Sequence, residues 1–200
     1  MTDANKPPVP EGAGDLDKQG LDGMIDALRN STDPQVRQYA AYLLGTAKNP
    51  RAIQPLIEAL ADFDKSVREQ ATLALSTLGK AAIEPLSAAM KEPKWETRYR
   101  AAEALGKIAD DKAVQPLIQA LNDSRDHVRY MAAKGLREFR DSDALEPMII
   151  LLKDENTYVR MMAIRALAAI GGDNVTTALK KALKTEKDEK VKEAFHDALK

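Results

Sequence analysis

Cysteine is missing from this 200-residue chain, which excludes a disulfide framework, a thiolate-bound zinc and a cysteine nucleophile. Aromatic residues are scarce at 4%. The interior must therefore be filled by the Ala, Leu, Ile and Met of a 44% apolar fraction, residues that favour helix. Neither sign of charge is in excess: 30 Lys and Arg face 31 Asp and Glu, a formal charge of −1, with no basic surplus to drive nonspecific nucleic-acid binding. No apolar run approaches the roughly 18 residues of a membrane span, and no basic start leads into an apolar signal core. The expectation is a cytoplasmic, all-α protein with neither a nucleic acid nor a membrane as partner.

What the chain does have is a repeat. The first 14 residues, MTDANKPPVPEGAG, carry three prolines and two glycines without an apolar period and are expected to form a flexible tail. From residue 15 onward a Val followed by a basic residue recurs: Val36-Arg37, Val67-Arg68, Thr97-Arg98, Val128-Arg129, Val159-Arg160 and Val191-Lys192, at steps of 31, 30, 31, 31 and 32. A second anchor keeps step with it, at Pro55, Pro85, Pro116 and Pro147, with Gly23 and Ala178 in the equivalent end positions. Each period holds a short helix with Pro near its start, where a missing N–H is tolerated, and a longer helix opening at the Val. The reading is a single domain over residues 15–200, an α-solenoid of about six antiparallel helical hairpins of about 31 residues. The repeats run approximately over 15–47, 48–79, 80–109, 110–140, 141–171 and 172–200.

On a wheel of about 100° per residue, offsets 4, 5, 7 and 8 from the Val share its side, and they hold Ala132, Ala133, Gly135 and Leu136 in one repeat and Ala163, Ile164, Ala166 and Leu167 in the next. The basic residue at offset 1 falls inside this apolar arc, where an unpaired charge is costly. Six positions before it stand Asp62, Glu92, Asp123, Asp154 and Glu186, against Arg68, Arg98, Arg129, Arg160 and Lys192. A recurring structural pairing between turn and helix is expected, with a bridge to the next repeat as a further option.

The unit D-x-x-x-x-V-R-x-x-A-A-x-A-L-G followed by D-x-x-A-V-x-P-L-I-x-A-L, well represented by residues 92–121, resembles the HEAT-like repeats of the phycobiliprotein lyase (PBS lyase) class. That resemblance implies a right-handed superhelix whose second helices line the concave, ligand-facing side, with a ladder of Asp and Arg along the stack. The departures are Thr97 for Val, Arg137 for Gly and Ala178 for Pro.

The outward offsets 2, 3 and 6 of the second helices bring Tyr99, Tyr130, Met131, Met161 and Met162 beside Arg100, Lys134 and Arg165. Such a stripe suits a protein or peptide partner with apolar and acidic groups; the other reading packs the same side chains against neighbouring helices. Trp95 reads as a turn-packing residue. The two histidines, His127 and His196, lie about two repeats apart and form no dyad or metal pair. Neither is followed by Glu, unlike the His-Glu iron motifs of deoxyhypusine hydroxylases, which are built on similar repeats. No Gly-rich phosphate loop occurs, so no catalytic, metal or cofactor residue is expected. The expected function is a noncatalytic binding scaffold. A bilin lyase-like subunit, on the strength of the resemblance, and a structural spacer are the alternatives. The lysine-rich final repeat reads as a polar cap that keeps the chain monomeric.

Overall fold

A computed structural model describes residues 6–200. The described residues contain twelve α-helices, joined by turns and short 3-10 segments, and no strand. Two compact units are distinguished, Met1–Ile108 and Ala109–Lys200. The boundary follows the third hairpin, at Ala109, which takes a left-handed φ of 53°.

The first unit holds α1 (Gly20–Asn30), α2 (Pro34–Ala47), α3 (Ile53–Glu58), α4 (Lys65–Leu78), α5 (Ile83–Ala89) and α6 (Trp95–Ile108). Even-numbered helices are the long second helices: α4 packs on α2 and α6, and each packs on the short helix that precedes it. Small residues permit the close approach. A Cβ added to Gly45 on α2 would sit 2.8 Å from the Cβ and 2.9 Å from the Cα of Ala74 on α4. Leu44, Ala71, Ala74 and Leu75 are fully buried in this seam, and each buried Leu contributes roughly 1.5–3 kcal/mol.

The second unit holds α7 (Val114–Ala120), α8 (Asp126–Phe139), α9 (Leu145–Leu151), α10 (Thr157–Ile170), α11 (Asp173–Leu183) and α12 (Glu189–Ala198). Here α10 packs on α8, α9, α11 and α12. Ala132, Ala163, Ile164 and Leu167 lose all solvent contact, as their shared arc on the wheel requires.

Of the stretch expected as a tail, residues 1–5 lie outside the described residues. The remainder is packed from Pro7 on. Pro7, Pro10 and Ala13 are buried, and the 3-10 turn Glu11–Ala13 contacts α2, with Val36 close to Gly12. Pro fixes φ and so lowers the entropy cost of holding an irregular segment against a helix.

Candidate binding face

Three of the turns before the second helices are ordered by an acid followed two positions later by a capping Asp or Asn. In Asp62-Phe63-Asp64, the Asp64 carboxylate caps α4 by accepting from the N–H groups of Ser66 and Val67, while Asp62 accepts from the N–H of Asp64 at 2.8 Å. Asp154 with Asn156 does the same before α10, and Glu186 with Asp188 before α12.

The first acid of each pair receives the arginine of the preceding repeat. Arg37 donates to both Asp62 oxygens at 2.8 Å, Arg129 to Asp154 at 2.7 and 2.9 Å, and Arg160 to Glu186 at 2.9 and 3.3 Å. In each case the remaining Nη1 donates to the carbonyl six positions earlier, that of Ser31, Asp123 or Asp154. The carboxylate partner therefore lies 25 or 26 positions ahead, and the residue six positions behind, Ser31, Asp123 or Asp154, contributes its backbone carbonyl instead. The alkyl stem of an arginine on the helix's first turn reaches its own turn's backbone, while the carboxylate there already faces the previous repeat.

Arg68 donates to the carbonyls of Asp62 and Phe63 but, among the described residues, makes no ion pair with Glu92, which is exposed. Lys94 stands at the position where Asp64, Asn156 and Asp188 cap their helices. Arg98 donates to the carbonyls of Glu92 and Pro93. Burial pushes the Asp62 carboxyl up, but the Arg37 hydrogen bonds, the Asp64 N–H and the charges of Arg37 and Arg68 outweigh it and hold Asp62 below the usual carboxylate range. At Glu186 burial is likewise outweighed, here by the N–H groups of Asp188 and Lys187 and by Arg160.

The outward rows divide sharply. At offset 3, Met131 and Met162 are only 5% and 3% exposed and belong to the core of the second unit rather than to its surface. Offset 3 stands about 40° from offset 7 on the wheel, and each second helix has a second helix beside it, which widens its buried arc. Tyr130 and Met161 are half-buried, and Lys134 and Arg165 stand exposed with no ion pair among the described residues.

In the first unit, Tyr99 and Arg100 are half-buried on α6. The Arg100 guanidinium lies 5.4 Å from the centre of the Tyr99 ring and pairs with Glu103 at 2.9 Å and Glu69 at 3.6 Å. Lys107 joins the same carboxylate of Glu103 at 3.1 Å. Trp95 meets Tyr99 edge-on at 6.4 Å.

Glu69, Arg100, Glu103 and Lys107 line an open groove of about 450 Å³ crossing α2, α4 and α6, together with Gln38, Ser66, Gln70 and Leu73. Gln70 is only 6% exposed, yet its Nε2 has no hydrogen-bond partner among the described residues. A buried donor without an acceptor is destabilising. Gln70 lies at offset 3 of α4, the row of Arg100, Met131 and Met162, and was not among the expected site residues. Among the described residues no cluster of His, Asp or Glu could hold a metal ion, and no helix is long and apolar enough to cross a membrane.

The sequence pattern of HEAT repeats matches residues 21–93, 79–128 and 114–200. The chain belongs to the HEAT-repeat family. Among curated proteins no match was found. Several solved structures share this helical architecture. A chain from the complex of CpcE and CpcF of phycocyanin lyase from Nostoc sp. PCC7120 is 25% identical, with a TM-score of 0.70 over 76% of this chain and 100% of that one. A designed armadillo repeat protein in complex with the peptide (KR)4 is 22% identical, with a TM-score of 0.56 over 93% and 100% of the two chains. Human deoxyhypusine hydroxylase is 22% identical, with a TM-score of 0.52 over 92% of this chain and 74% of its own. The last two likenesses are of fold.

Proposed function

We propose that this HEAT-repeat protein is a noncatalytic scaffold that binds a protein or peptide segment along the faces formed by its second helices. The observation that carries the reading is the open groove of about 450 Å³ across α2, α4 and α6, lined by Leu73 and by polar and charged side chains. A backbone group of an extended segment would hydrogen-bond the half-buried amide of Gln38, and Leu73 would take an apolar side chain. Glu69, Arg100, Glu103 and Lys107 neutralise one another, so this stretch of the face favours an uncharged portion of the partner. Lys134 and Arg165 in the second unit would receive acidic groups. Tyr99 and Tyr130 add aromatic contact area at low entropic cost.

Selection of peptides from a displayed random library on the wild-type protein tests this reading. The affinity of the best peptide should fall at least about tenfold in Leu73→Glu or Arg165→Glu, with helical content unchanged. Undiminished affinity in both variants refutes it.

A second reading draws on the phycocyanin lyase relative, whose whole chain is matched: a lyase-like subunit that binds a bilin. Titration with a bilin, followed by visible absorbance, separates the two readings. Stoichiometric spectral change favours the lyase-like role, and an unchanged spectrum favours the scaffold.

A further inference from the structure

The last hairpin departs from the others on the side of the first helices. In the four internal hairpins a 3-10 turn leads into the first helix and buries an alanine completely: Ala52, Ala82, Ala113 and Ala144. In the last, Gly171 and Gly172, with φ of 75° and 99°, replace that turn, and α11 begins directly at Asp173. Ala178 stands where the internal repeats have Pro.

Between α9 and α11 a cleft of about 840 Å³ remains. Its floor is apolar, with Ile149 and Leu152 from the α9 side and Ala178 and Ala182 from α11. On α11 and the turn after it, the lining follows Asn174, Thr177, Ala178, Lys181, Ala182 and Thr185, a helical stripe about 16 Å long at 1.5 Å per residue. The cleft is thus elongated along the helix axis, a shape for a chain segment rather than for a compact anion.

Its charges are unbalanced once internal pairing is taken into account. Arg160 and Glu186 hold each other at 2.9 Å, and Asp154 is held by Arg129 at 2.7 Å. What remains on the rim is Lys153, Lys181 and Lys187, exposed and without ion pairs among the described residues, against Glu146 alone.

We propose that the α9–α11 cleft docks an amphipathic helical segment of a partner protein, apolar on the face that enters and acidic along its flanks. The occupant's apolar side chains cover Ile149, Leu152, Ala178 and Ala182, and its carboxylates meet Lys153, Lys181 and Lys187. This site lies on the first helices and is independent of the groove at Gln70.

The test uses the full chain and a fluorescein-labelled designed helical peptide with Leu at i, i+3, i+4 and i+7 and Glu on the flanks, followed by fluorescence anisotropy. A counterpart carries Lys for Glu. The acidic peptide should bind, should weaken at least about tenfold in Ala178→Trp, which fills the cleft, and in the double variant Lys153→Glu, Lys181→Glu. Its affinity should fall as salt rises. Circular dichroism checks that both variants remain folded, and Leu73→Glu should leave this affinity unchanged even if the scaffold reading fails.

No binding of the acidic peptide, equal binding of the two peptides, or full affinity in Ala178→Trp would overturn the proposal. A concentration-dependent rise in mass abolished by Ala178→Trp would also overturn it, because a second copy of the chain would then occupy the cleft.

Discussion

Arg129 holds two repeats together at once: Nε and Nη2 donate to the carboxylate of Asp154 at 2.7 and 2.9 Å, while Nη1 donates to the Asp123 carbonyl of its own turn at 2.9 Å. Its rung is nearly dry, with the side chains 11% and 6% exposed. Hydrogen bonding to Asp154 raises the Arg129 pKa above its ordinary value despite burial. The guanidinium therefore fixes the register of one hairpin on the next.

Removing one member of such a pair leaves a buried charge without compensation, at a cost of about 3 kcal/mol. Arg129→Ala should lose that much stability in urea denaturation. Arg68→Ala gives up hydrogen bonds to carbonyls but no carboxylate, and should lose about 1 kcal/mol. Equal losses in the two variants would contradict the rung geometry.

The carboxyls of Asp62 and Glu186 titrate below their ordinary values of 3.8 and 4.5 in the folded chain. For a group whose folded pKa is depressed, the stabilisation is complete above the unfolded pKa and disappears as pH falls through the folded one. Stability should hold from neutrality down to about pH 5 and decline below pH 4. Urea midpoints across that range check this, and the decline should be shallower in Asp62→Asn than in the wild type.

Close approach of α2 and α4 depends on Gly45. In Gly45→Ala the new methyl meets Ala74 backbone as well as side chain, so the helices must separate. A loss of about 1–3 kcal/mol is expected from overpacking, despite the better helix propensity of Ala. Thermal unfolding measures it.

Ala163 on α10 has no exposed surface. Ala163→Glu would bury a carboxylate with no partner, and the second unit should fail to fold or should unfold at much lower urea than the wild type. A wild-type midpoint would mean that the seam is open to solvent.

The helix pattern was legible because its periods are long and its punctuation regular: the Val-Arg and Pro anchors fall at the starts of the observed helices. The arginine rungs were legible in composition but not in partner, since Arg129 lies six residues from Asp123 along the chain and contacts Asp154 only through folding. Met131 and Met162 looked outward because a wheel treats each helix alone, whereas the neighbouring second helix covers the flank at offset 3. Pro7 and Pro10 suggested a tail because a segment with no period gives no sign of the helix it packs against. The burial of Gln70 was not legible because it depends on the helices on either side of α4.

The central claim is that the α2–α4–α6 groove, lined by Gln38 and Leu73, holds a bound segment. The most direct measurement is the side-chain amide resonance of Gln38 in nitrogen–proton correlation spectra, followed while a peptide selected by the wild-type protein is added. The account predicts a saturable shift with the same affinity as the overall binding curve. A Gln38 amide that stays in place while the peptide saturates would contradict it.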